Sequence, residues 1–174
     1  MTNMTEYFLR PGFIYFASGQ TSILTVVGSS VAVSMYDRNY RRGGMNHFFH
    51  PRLEENASPT AIFAKPSTLE LIRIMHSNGS ALDSIEAQIF GGAARDDDSE
   101  DLKQIGKNNI EAAVQLLEFY GIKVIGTDVG GKHGRKIIFN VYTGEIIIAK
   151  VEKIRREDWY PGFFQTLFDR KAYS

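Results

Sequence analysis

Short runs of β-branched and aromatic residues broken by Gly and Ser open the chain: 13–16 (Phe-Ile-Tyr-Phe), 23–27 (Ile-Leu-Thr-Val-Val) and 31–33 (Val-Ala-Val). Such runs, four or five residues long with small-residue punctuation, predict strands. Gly43-Gly44 precedes a further run, 45–49, which Pro51 ends. The pattern then changes period. Leu69, Leu71, Ile72 and Met75 form an apolar face after Ser67-Thr68-Leu69-Glu70, which has capping-box spacing with Pro66 just before it, and Asn78-Gly79 supplies a stop. A second helix is predicted from about Asn108, with Glu111 three residues on. Ile110, Ala113, Val114 and Leu117 form its buried stripe, and Gly121 ends it. Strands return at 122–125, 136–142 and 145–151, the last two joined by Thr143-Gly144 as a hairpin.

This order of elements predicts an α+β fold: one domain, with mixed or antiparallel sheets and two main helices packed on one side. The domain is expected over 1–155, with 156–174 as an aromatic-rich C-terminal extension. There, Trp159, Phe163, Phe164, Leu167 and Phe168 suit a short amphipathic helix, which either packs on the domain's own surface or enters a partner's groove.

A length of 174 residues agrees with one ordinary core. Twenty Lys+Arg balance twenty Asp+Glu, which gives no field for holding a polyphosphate, so nucleic acid is not an expected partner. No apolar run approaches the ~20 residues that span a bilayer, and the polar start is not a signal peptide, so no membrane insertion is expected. The chain has no cysteine, which removes disulfides, thiolate metal sites and thiol catalysis as it stands.

Most candidate motifs fail on their own chemistry. Asp96, Asp97 and Asp98 in the acidic stretch 95–101 are consecutive, where a calcium loop needs alternation and a glycine; a solvated loop is expected. His47 and His50 would point to opposite faces of a strand, and His76 and His133 stand alone, so no metal is expected. Gly126 to Gly131 lacks the Lys-Ser/Thr pair of a phosphate loop, and no cofactor is expected. Gly28-Ser29-Ser30-Val31-Ala32 approaches a nucleophile elbow, but a strand rather than a helix follows it. Ser30 and His47, one hairpin apart, have the spacing of a nucleophile–base dyad; by spacing alone, a turn serine and a hydrogen-bonded histidine explain them better.

Several motifs in series change that balance. Thr25-Val-Val-Gly28-Ser29-Ser30-Val-Ala-Val-Ser34-Met-Tyr-Asp37 and Gly43-Gly44-Met-Asn-His47-Phe-Phe-His-Pro51 resemble the CheD family, chemoreceptor glutamine deamidases of bacterial chemotaxis. The resemblance continues through Glu86-Ala-Gln-Ile-Phe-Gly91-Gly92-Ala, Ile105-Gly106-Lys-Asn-Asn109-Ile-Glu and Gly126-Thr-Asp128-Val-Gly130-Gly131-Lys-His-Gly134-Arg135, covering about residues 12–152. The family pattern has Gly-Ser-Cys-Val-Ala-Val and, seventeen residues after the Cys, a His; here Ser30 and His47 are seventeen apart.

The resemblance implies an α+β fold and hydrolysis of receptor glutamine side chains to glutamate with release of ammonia. It implies catalysis by a Cys–His pair assisted by a Thr on the preceding strand. The corresponding residues are Ser30, His47 and Thr25, with Leu24 sharing the window of the Thr. It further implies a cytoplasmic protein, expected to be monomeric, whose partners are the cytoplasmic domains of chemoreceptors and, in some bacteria, a CheC-type phosphatase. The chain departs from the pattern where Ser30 replaces Cys, at Ser34 where Cys is frequent, at Asn108 where a basic residue is common, and at His50 in place of an apolar residue. A site laid out for a thiolate should lose most of its rate with serine, so this chain is expected to be weak or inactive. The alternative is a non-catalytic homologue that binds receptor or phosphatase.

Overall fold

The computed structural model describes residues 4–159. Five strands come first: β1 (Thr5–Phe8), β2 (Ile14–Ser18), β3 (Thr21–Val27), β4 (Val31–Asp37) and β5 (Arg42–Phe48). After helix α1 (Ala64–Ser77), β6 (Ile85–Gly91) and α2 (Glu100–Phe119) come β7 (Lys123–Val129), β8 (Gly134–Asn140), β9 (Ile146–Val151) and the short α3 (Arg156–Trp159). The strands form two mixed sheets, ordered β1-β3-β8-β9 and β2-β5-β4-β6-β7. Two pairs are parallel, β1 with β3 and β6 with β7; the others are antiparallel.

Side-chain alternation along the strands builds three layers. From one face of the five-stranded sheet, Val31, Val33, Met35, Ile85, Ala87 and Ile89 pack against Leu71, Ile72 and Met75 of α1 and Ala113 and Leu117 of α2. From its other face, Ala32, Met45 and Phe90 meet Ile23, Val27, Ile137 and Phe139 of the four-stranded sheet. Burial of each such large side chain contributes about 1.5–3 kcal/mol. The expected α+β domain with both main helices on one side is what forms.

The boundaries differ in instructive ways. Helix α1 begins at Ala64 rather than Ser67, and Phe63 at its N-cap makes no side-chain cap. Pro66 sits inside the first turn, where its missing N–H would have had no helical partner. Helix α2 begins well before Asn108: Ser99 caps it, its hydroxyl accepting from the Leu102 N–H at 3.2 Å, with Glu100 and Asp101 in the first turn. Carboxylates there favour the positive end of the helix dipole, so the acidic stretch is half loop and half helix start. Val114, expected in the stripe, is exposed; Gly106, Asn109, Ala113 and Leu117 form the buried line instead. Strand β7 runs on through Asp128, whose carboxylate takes the buried Arg135 guanidinium at 2.8 Å. The 143–144 hairpin is found as expected, with Gly144 at φ +80°.

The C-terminal extension is described only as far as Trp159, whose indole N–H donates to the Val26 carbonyl at 2.9 Å. Phe163, Phe164, Leu167 and Phe168 lie outside the described residues.

Candidate active site

His47 lies on β5 directly opposite Ala32 of β4, on the face turned toward the four-stranded sheet. It is fully buried. Across the interlayer space, Thr25 on β3 lies between Ile23 and Val27, which face the same way. Ser30 ends the turn between β3 and β4 and is 8% exposed, so its hydroxyl sits at the edge of the interior. The structure brings these three residues together: Ser30 Oγ is 2.8 Å from His47 Nε2, and Thr25 Oγ1 is 3.0 Å from His47 Nδ1.

The proton positions follow from what each atom is able to do. The Thr25 hydroxyl has one hydrogen, and it donates that to the Leu9 carbonyl at 2.8 Å. Thr25 Oγ1 therefore accepts from His47, which places the imidazole hydrogen on Nδ1. Nε2 is left with its lone pair toward Ser30, whose hydroxyl donates. The chain of hydrogen bonds has one direction, from Ser30 through His47 and Thr25 to the backbone of Leu9. Burial pushes the His47 pKa from 6.5 down to about 3, so the ring is neutral at neutral pH. Among its hydrogen-bond partners there is no carboxylate to oppose that shift.

The turn that carries Ser30 is fixed through its carbonyls. The Gly28 carbonyl accepts from the Ala93 N–H and the Ser30 carbonyl from the Gly92 N–H, both at 2.8 Å. The Ser29 carbonyl accepts from the Asn109 side-chain amide at 3.0 Å. Neither the Ser29 nor the Ser30 N–H donates to another group among the described residues. Gly91, at φ +106°, must be glycine here, because a Cβ would collide with the Ser30 carbonyl.

His50 takes no part. It lies past the end of β5, its ring centroid 4.7 Å from that of Phe49 and 5.5 Å from that of Phe63. The acidic residues pair locally: Arg95 with Asp97 at 2.9 Å, and Lys132 with Asp96 at 2.6 Å. Among the described residues, no three His, Asp or Glu side chains converge to hold a metal ion. A groove of about 680 Å³ between α1 and α2, lined by Leu53, Leu69, Leu116 and Phe119 among others, includes none of Thr25, Ser30 and His47. The geometry around Ser30 is therefore the better guide to chemistry than cavity size.

Residues 50–150 match the family described as CheD chemotactic sensory transduction. A probable chemoreceptor glutamine deamidase CheD of Trichlorobacter lovleyi is 36% identical over 145 residues, covering 83% of this chain and 90% of that protein. The chain belongs to the CheD family. A second relative, from Anaeromyxobacter dehalogenans and named probable chemoreceptor glutamine deamidase CheD 1, is 37% identical over 139 residues, 80% of this chain and 81% of its own. A third, from Methanococcus vannielii, is 30% identical over 148 residues, 84% of this chain and 96% of its own. The CheD family match begins at residue 50, so Thr25, Ser30 and His47 all precede it.

Two contributors around the trio had no assigned part in the sequence reading. The Leu9 carbonyl, which orients Thr25, is a backbone atom with no signature in residue type. Asn109 did have a signal, since a polar residue stands on the otherwise small and apolar line of Gly106, Ala113 and Leu117.

Proposed function

We propose that this site hydrolyses the side-chain carboxamide of glutamines in chemoreceptors, with residue 30 as nucleophile, His47 as general base and acid, and Thr25 as the group that orients His47. The observation that carries the reading is the one-directional hydrogen-bond chain, which delivers a free Nε2 lone pair to the residue-30 hydroxyl. In the first half-reaction, Nε2 takes the proton of residue 30 as its oxygen bonds to the carboxamide carbon. The carbonyl oxygen, now an oxyanion, is held by the Ser29 and Ser30 N–H groups. His47 returns the proton to the nitrogen, and ammonia leaves an acyl-enzyme. Water then attacks that ester with its proton passing to Nε2, and residue 30 recovers the proton as the glutamate carboxyl departs.

Serine makes this sequence slow. A base whose pKa is pushed down to about 3 is poorly matched to a hydroxyl that stays protonated across the aqueous pH range. A cysteine thiol, with a reference pKa near 8.5, closes much of that gap. Ser30 thus supports a second reading, a family member that binds chemoreceptors or a CheC-type phosphatase with little turnover of its own. In both readings the chain acts as a monomer in the cytoplasm on the cytoplasmic domains of its receptors.

The test is to incubate the chain and its Ser30→Cys variant with chemoreceptor cytoplasmic fragments, following ammonia and the conversion of glutamine to glutamate by mass spectrometry. The enzyme reading expects slow or no turnover with serine at position 30 and a large gain with cysteine there, which His47→Ala abolishes. A Ser30→Cys variant inactive on several receptors, yet binding them, would establish the second reading.

A further inference from the structure

Helix α2 runs past the site and presents one buried polar side chain to it. Asn109 is fully buried, and its side-chain amide donates both hydrogens: one to the Ser29 carbonyl at 3.0 Å, the other to the Phe49 carbonyl at 3.2 Å. The orientation of that amide is forced, because two carbonyl oxygens accept only from nitrogen. Its own oxygen is left buried without a partner. An apolar residue in that place would leave the Ser29 and Phe49 carbonyls without this donor, so the amide serves those two carbonyls rather than the packing of the stripe.

That use follows from peptide geometry. Among the described residues no peptide bond is cis, and in a trans peptide the C=O and the following N–H point in opposite directions. The Ser29 carbonyl and the Ser30 N–H belong to one peptide. Whatever holds the carbonyl therefore aims the N–H. The neighbouring peptide is held in the same way, since the Gly28 carbonyl accepts from the Ala93 N–H and so fixes the direction of the Ser29 N–H. The second Asn109 hydrogen reaches Phe49, two residues beyond His47, and ties the nucleophile turn to the strand of the base. Gly106, three residues earlier on α2, allows the close approach: a Cβ there would lie 3.0 Å from the Gly92 carbonyl oxygen.

We propose that Asn109 is a positioning residue that aims the residue-30 N–H as an oxyanion donor. The proposal rests on the deamidase reading of the site. Asn109 itself touches neither nucleophile nor base. Its loss leaves the Ser30–His47 hydrogen bond in place and frees the peptide between residues 29 and 30 to rotate.

The chain's lack of cysteine makes a clean experiment, because a Ser30→Cys protein carries a single thiol. In that protein, kcat and KM for deamidation of a chemoreceptor cytoplasmic fragment are compared with the rate at which iodoacetamide alkylates the thiol. Alkylation at saturated carbon forms no oxyanion and reads only the thiol and its base. Adding Asn109→Ala should lower kcat about 100-fold, as loss of an oxyanion donor does. KM and the alkylation rate should stay within about threefold.

If the alanine variant does not fold by circular dichroism, Asn109→Ser serves, since one hydroxyl hydrogen cannot hold both carbonyls; it should lose at least tenfold in kcat with alkylation unchanged. The inference is overturned if a His47-dependent Ser30→Cys enzyme keeps its kcat without Asn109, or if kcat and alkylation fall together. A Ser30→Cys protein that produces no ammonia, or produces it without His47, instead overturns the deamidase reading and takes this inference with it.

Discussion

Lowering the pH puts a specific load on His47. Its folded pKa is about 3 and its unfolded reference is 6.5, so between those values the unfolded chain binds a proton that the folded chain refuses. Stability linked to His47 is therefore fully present above pH 6.5 and is lost as the pH falls toward 3. The whole shift corresponds to about 5 kcal/mol, of which about 2 kcal/mol is lost between pH 7 and pH 5. That loss is a large share of the ~5–15 kcal/mol that holds an ordinary domain folded. The assay is urea unfolding at pH 7, 6 and 5 on the chain and on His47→Gln, which cannot titrate at that position.

The two proteins share every other ionisable group, so the difference between their pH dependences isolates His47. The advantage of the unaltered chain over the variant should shrink by about 2 kcal/mol from pH 7 to pH 5, a relative shift of roughly 1 M in urea midpoint. Parallel pH dependences, agreeing within about 0.5 kcal/mol after the general uncertainty of such extrapolations, would refute the reasoning. They would mean that water or a charge reaches the ring and that its neutral, Nδ1-protonated state is not imposed by burial.

Other perturbations act on the same few atoms. Thr25→Val leaves the Leu9 carbonyl and the His47 Nδ1–H without their partner; it should cost about 1–3 kcal/mol for each in chemical denaturation. In the Ser30→Cys protein it should also reduce turnover at least ~10-fold by releasing the tautomer, whereas Thr25→Ser, which keeps the hydroxyl, should remain near full activity in the ammonia assay. Gly91→Ala forces a Cβ against the residue-30 carbonyl at a positive φ; it should abolish the turnover of the Ser30→Cys protein and lower the thermal midpoint measurably. Ser99→Ala removes the α2 cap and should cost about 1 kcal/mol in urea unfolding. In the Ser30→Cys protein it should leave the alkylation rate of the thiol unchanged, since Ser99 has no bond to the site.

Much of this architecture was legible because it rests on local periodicity. The runs ending at Val27, beginning at Val31 and preceding Pro51 became β3, β4 and β5, and they put Ser30 in a turn and His47 on a strand as expected. What escaped was non-local or ambiguous in type. Pro66 reads as a boundary, yet in the first turn of α1 it removes only an N–H that no helical carbonyl would have accepted. The charge density from Arg95 to Asp101 reads as loop, although Ser99 and two carboxylates there also make a helix start.

The strand β1 has four residues, two of them exposed, and its parallel pairing with β3 leaves no turn signature. The meeting of Thr25 with His47 depends on two sheets facing each other at one register, which no spacing along the chain encodes. The serine at position 30 was plain in the sequence; what the structure adds is that this hydroxyl is bonded to a neutral, oriented imidazole.

The central claim is that residue 30 forms a covalent bond to the glutamine carboxamide carbon. It is tested most directly by acid-quenching the Ser30→Cys protein during turnover of a chemoreceptor cytoplasmic fragment and measuring intact mass. The expected species is an adduct equal to the two proteins less one ammonia, sensitive to hydroxylamine, with its crosslink mapped to residue 30 and a glutamine-derived side chain. Deamidated receptor accumulating with no such adduct, at a rate unchanged in Ser30→Ala, would contradict it.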